Sequence, residues 1–131
     1  MEQKRSEALE KEIKRANKEM AKLEELLKKE IIPFTKIEDF ETMFPEKEFP
    51  SLEEKKENED FKKNPRFYFC RNGIRRNQIR LFTKNHDFSI ICHFGSWGYE
   101  EGLLEMMIDG REPEGYLTAE EVFEKIKLLQ Y

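Results

Sequence analysis

The chain has 131 residues, with 28 acidic against 24 basic side chains and a net charge of −4. That length suits one domain around one core. The acid excess argues against a polycation that coats nucleic acid by bulk charge. Eleven Phe, four Tyr and one Trp argue against global disorder. No apolar run approaches the roughly 18–20 residues needed to span a bilayer. The opening MEQKRSEALEKEIKR carries no apolar signal-peptide core, so a soluble, cytoplasmic protein is expected. Cys70 and Cys92 make no disulfide framework and suit a reducing compartment.

Charge is segregated along the chain. Residues 1–30 are net +1, residues 31–65 net −4, residues 66–98 net +5 and residues 99–131 net −6. A basic centre thus lies between acidic flanks.

The first segment predicts one long helix from about Gln3 to Ile31, without Pro or Gly and rich in strong helix formers. Leu9, Ile13, Ala16, Met20, Leu23 and Leu27 fall at alternating steps of four and three, a heptad seam. With Ile13, Met20 and Leu27 at a, the e position holds Glu10, Asn17 and Glu24, and g holds Glu12, Glu19 and Leu26. Self-pairing in either orientation brings Glu near Glu. The seam therefore folds onto the basic centre of its own chain, meets a basic partner, or pairs with a second copy against that repulsion.

Pro33 ends the helix. Thr35 with Glu38 has the spacing of a capping box, and predicts a short helix carrying Ile37, Phe40 and Phe44 up to Pro45. Ser51 with Glu54 repeats the pattern before SLEEKKENEDFKK, a solvated helix or a linker that Asn64-Pro65 closes. From Arg66 the apolar period changes to two. FYFC (67–70), NQIRLFT (77–83) and FSIICHF (88–94) read as strands, with Asn72-Gly73 as a hairpin turn between the first two. GSWG (95–98) reads as a loop, and LLEMMI (103–108), between Gly102 and Asp109-Gly110, as a fourth strand. Thr118 with Glu121 caps a last helix with Val122, Phe123, Ile126 and Leu129 on one face.

The expected fold class is α+β: a long N-terminal helix and a short helical connector, then a three- to four-stranded antiparallel sheet with a C-terminal helix packed on it. The expected divisions are a helical arm over 1–32, a connector over 33–65 and an antiparallel α+β domain over 66–131.

Chemistry-bearing patterns are sparse. Cys92 and His93 are neighbours on a predicted strand and point to opposite faces, and neither C-x-x-C nor H-x-x-x-H spacing occurs, so no metal centre and no cofactor is expected. A Cys–His nucleophile pair would need a base and an oxyanion donor pair that nothing in the sequence signals. Glu105 stands among apolar residues on a predicted strand, where alternation turns it to solvent. No catalytic residue is assigned.

Two surfaces remain. Arg71, Arg75, Arg76 and Arg80 gather guanidinium groups on one predicted hairpin, suited to phosphate or to carboxylate. They either grip single-stranded nucleic acid or pair with the chain's own acids. The second surface is acidic and aromatic. Trp97 and Tyr99 lie in a glycine-rich loop as candidate anchors, with Glu100, Glu101, Asp109, Glu112 and Glu114 as charges complementary to a basic partner.

GSWGYEEGLLEMM followed by EGYLTAEEVFEKI resembles a pattern in small uncharacterised phage and prophage proteins. There a strand leads to S-aromatic-G, then G-L-hydrophobic-E, then G-aromatic-L-T-x-E-E-V. The resemblance covers about Gln78 to Leu129 and carries no catalytic motif. Small, acidic, phage-encoded proteins of this kind resemble anti-CRISPR proteins in general character. That class implies a binding protein that blocks the nucleic-acid groove or moving parts of a host effector nuclease, a CRISPR effector among the candidates. The acidic loops of this chain would do so by occupying a basic protein surface. The alternatives are a nucleic-acid-binding accessory protein using the arginine hairpin and a coiled-coil assembly protein. The expected oligomeric state is a monomer or a coiled-coil dimer, with no membrane partner.

Overall fold

The computed structural model describes residues 7–42 and 73–131. Along them run helix α1 (Glu7–Lys29), strands β1 (Thr35–Thr42), β2 (Ile74–Phe82), β3 (Asp87–Ile91), β4 (Leu104–Ile108) and β5 (Glu114–Leu117), and helix α2 (Ala119–Leu128). The five strands pair in chain order as one antiparallel meander, and the protein is α+β.

The heptad seam of α1 is satisfied within the chain. Ala16, Met20, Leu23 and Leu27 are wholly buried and join Ile79, Leu81, Phe88, Ile90, Leu104 and Met106 of the sheet with Val122 and Ile126 of α2 in one core. Each large aliphatic side chain buried this way contributes about 1.5–3 kcal/mol. Apolar area therefore decides where the seam goes, and α1 is a layer of the core rather than an arm. Helix α1 closes in a Schellman turn, with Ile32 N–H donating to Leu27 C=O (2.9 Å) and Ile31 N–H to Lys28 C=O (3.2 Å). Ile31 occupies the left-handed position, at φ 56°.

Residues 35–42 form a strand where a short helix was expected. Thr35 and Glu38 do not cap a helix; they lie opposite Arg80 and Asn77 of β2. A helix of so few residues is marginal by itself, whereas the ladder to β2 satisfies the backbone and lets β-branched Thr35 and Ile37 sit on a pleated surface. Alternation then sends Lys36 toward α1, where Glu24 Oε2 accepts from its Nζ at 2.9 Å. The bond from Lys36 holds the Glu24 carboxyl below its ordinary range, with burial opposing it.

The predicted strands over 77–83, 88–94 and 103–108 appear with shifted ends as β2, β3 and β4. Strand β5, like β1, is not read as a strand from the sequence. It has four residues with Gly115 among them, and its register against β4 shifts between Leu104 and Met106. The turn at Asp109-Gly110, closed by Arg111 N–H to Ile108 C=O (3.0 Å), has positive φ at both residues, 54° and 70°, as a type I′ turn requires. Helix α2 starts in the expected capping box: Thr118 Oγ1 accepts from Glu121 N–H (3.2 Å) and Glu121 Oε1 from Thr118 N–H (3.1 Å). The strand over 67–70, Asn72 of the Asn72-Gly73 turn and the helix or linker from Ser51 lie outside the described residues.

Candidate docking surface

The loop between β3 and β4 is built around a 3-10 turn, Tyr99–Glu101. Trp97, just before it, is half exposed, at 50%. Its backbone is held on both sides: Trp97 N–H donates to Glu105 Oε1 (3.2 Å), and Trp97 C=O accepts from Tyr116 N–H (3.2 Å). Glu105, on β4, is thus a brace for the loop. Gly115 packs directly under the indole-bearing residue, since a Cβ there would lie 2.3 Å from Trp97 Cβ. Glu100 and Glu101 follow at once, both exposed.

Tyr99 is not an anchor. It is 3% exposed, and its ring points into the core. Its hydroxyl donates to Glu12 Oε2 of α1 and accepts from Ile74 N–H (3.2 Å). The Arg15 guanidinium lies 5.0 Å from the ring centroid and Arg15 Nη2 3.0 Å from Glu12 Oε1. Burial raises the Glu12 carboxyl above its ordinary value, with the Tyr99 bond and Arg15 opposing. Burial also raises the Tyr99 hydroxyl, reinforced by the neighbouring Glu12. The heptad reading placed Glu12 and Glu19 on an acidic flank, yet both are buried. Glu19 meets Lys22 at 3.2 Å and accepts from Ala119 N–H at the start of α2 (3.4 Å).

Next to Trp97, the aromatic side chain that stands outside is that of Tyr116, at 59% exposure. Its φ is 58°, a region that residues with side chains rarely occupy. The sequence reading missed it, although one signal was present. Leu117 immediately precedes the Thr118 cap and faces the core, so strand alternation sends Tyr116 outward.

The remaining acidic candidates divide. Asp109 is engaged: His86 Nδ1 donates to its Oδ2 (2.6 Å) and Asp87 N–H to its Oδ1 (2.8 Å). These bonds, His86 first, hold its carboxyl below the usual range. Glu114 meets Lys125 at 2.9 Å. Glu112 is exposed and lines a cleft of about 280 Å³ with Asp109, Glu114, Met106, Ile108 and Leu129.

The arginines are less concentrated than their spacing suggests. Arg80 Nη2 bonds Asp87 (3.2 Å) and its guanidinium lies 4.6 Å from the Phe82 ring centroid. Both Arg76 Nε and Nη2 donate to Gln78 Oε1 (3.1 and 2.8 Å). Arg75 is exposed, 4.0 Å from Glu41. Arg71 lies outside the described residues. Cys92 is buried beside α1, where burial pushes its thiol up to about 12. Among the described residues no group of three His, Cys, Asp or Glu could hold a metal ion, and no helix is long and apolar enough to cross a membrane.

No protein-family model, curated protein or solved structure matches this chain.

Proposed function

We propose that this chain is a non-enzymatic binding protein that docks through its acidic, Trp97-bearing end on a basic surface of a partner protein. The class that fits is that of small phage- or mobile-element-encoded inhibitors of host defence nucleases, the CRISPR effectors among the candidate partners. One observation carries this reading. Trp97 is half exposed on a backbone fixed by Glu105, Tyr116 and Gly115, beside exposed Glu100 and Glu101. A large, exposed aromatic residue on a fixed backbone, followed by two exposed carboxylates in the adjacent turn, has the make-up of an interface hot spot. Exposed Tyr116 joins it in place of the buried Tyr99, and carboxylates steer the approach of a cationic surface.

The nucleic-acid reading draws on less than the sequence offered, because Arg76 and Arg80 are hydrogen-bonded within the sheet. Capture from a host lysate, with and without nuclease, separates the two. A protein partner retained by the wild type and by Arg75→Ala/Arg76→Ala, but lost with Trp97→Ala and with Glu100→Gln/Glu101→Gln, supports docking. Recovery of nucleic acid without a protein, or loss of binding only in the arginine variant, overturns it.

A further inference from the structure

We infer that Glu12 of α1 is a positioning residue for the Trp97 loop, and that the docked helix sets how this loop is presented. The 3-10 turn lies between Gly98 at φ 100° and Gly102 at φ 73°. Local backbone bonds close it (Leu103 N–H to Gly98 C=O, 2.9 Å) and Trp97 is tied to Glu105 and Tyr116, but none of these bonds joins the turn to α1. The buried side chain in the turn is Tyr99. Besides Ile74 N–H, which donates to its hydroxyl (3.2 Å), the side-chain tethers on Tyr99 come from one turn of α1. Glu12 accepts from its hydroxyl, the Arg15 guanidinium covers its ring, and the Arg15–Glu12 ion pair joins the two. The backbone of that same turn presses on the far hinge, since a Cβ on Gly102 would lie 2.7 Å from the Arg15 carbonyl oxygen. Two residues before Tyr99 stands Trp97, and immediately after it come Glu100 and Glu101. Displacing the Glu12 carboxylate leaves the hydroxyl that holds the turn with the Ile74 N–H alone, a contact to β2, and so breaks its bond to the helix while the apolar seam of α1 stays in place.

The biological meaning of this latch rests on the docking reading, but its test does not. Trp97 is the only tryptophan, so its fluorescence in the folded protein reports on the loop alone, and a failed docking assay leaves this result standing. Glu12→Leu and Tyr99→Phe are expected to shift Trp97 emission to longer wavelength and raise its quenching by acrylamide. Glu12→Gln keeps an acceptor for the Tyr99 hydroxyl and is expected to retain the wild-type spectrum. Met20→Ala weakens α1 at a buried position outside the Glu12–Arg15 turn and is expected to lower stability without moving the native-state emission. Wild-type emission in folded Tyr99→Phe overturns the inference, as does an equal shift in Glu12→Gln or Met20→Ala. Should Glu12→Leu fail to fold, the comparison of Tyr99→Phe with Glu12→Gln decides it.

Discussion

Gly115 lacks a side chain at the place that Trp97 occupies: a Cβ on Gly115 would sit 2.3 Å from Trp97 Cβ and 3.0 Å from the Trp97 carbonyl oxygen. The glycine on the edge strand and the exposed indole are thus two halves of one packing contact. Gly115→Ala is expected to push the loop off β5 and lower stability by about 1–3 kcal/mol. Denaturant unfolding measures the loss, and altered Trp97 fluorescence in the folded variant locates it. A variant as stable as the wild type would show that the loop yields freely.

Ile31 offers the opposite outcome. It adopts φ 56° at the end of α1 while 88% exposed, so a β-branched residue bears left-handed strain with almost no burial in return. Ile31→Gly is expected to raise stability by about 0.5–1 kcal/mol, the relief of strain exceeding the entropy cost of glycine. A thermal melt above that of the wild type checks it.

The buried seam separates an intramolecular helix from a coiled-coil assembly. Leu23 is wholly buried against the core of its own chain. Leu23→Ala is expected to cost about 2–5 kcal/mol by leaving a cavity. The mass from light scattering is expected to match that of the wild type, because no self-association depends on this residue. A drop in mass would instead place the seam between chains.

Two carboxylates give opposite pH dependences. Burial raises the Glu12 carboxyl above 4.5, so its contribution to stability is fully present below that value and is lost as pH rises through the folded value. Glu12→Gln removes this dependence, and the variant is expected to gain on the wild type across that window. The Asp109 carboxyl is lowered from 3.8, chiefly by His86, so its contribution is present above 3.8 and is lost as pH falls through the folded value. Asp109→Asn is therefore expected to lose most relative to the wild type at neutral pH, the difference closing in acid. Denaturation at a series of pH values reads both.

The Cys92 thiol is buried and raised to about 12, so almost none is thiolate near neutral pH. In a Cys70→Ser background, an aromatic disulfide reagent at mildly alkaline pH is expected to modify Cys92 only as the protein opens. The labelling rate should then follow denaturant and the destabilising variants. Fast labelling under native conditions would place the thiol at the surface.

What was legible in the sequence is what local geometry determines. The α1 seam, the Thr118–Glu121 cap and the Asp109-Gly110 turn each follow from spacing or φ preference within a few residues, and each is present. Charge by segment was a poorer guide to the surface. Arg76 and Arg80 have partners on and across the sheet, and Asp109 and Glu114 are paired while Glu100, Glu101 and Glu112 stand outside.

Tertiary structure decided the rest, because it depends on groups far apart in the chain. Thr35–Thr42 became a strand because β2 supplies a ladder that a short helix cannot match. Tyr99 turned inward because Glu12, 87 residues earlier, and Ile74 meet its hydroxyl. Glu12 and Glu19 are covered because the sheet and α2 close over the helix whose periodicity alone marked them as flanks. A sequence specifies which face of an element is apolar; which polar groups are taken inside with it depends on partners that only the folded chain brings within hydrogen-bond reach.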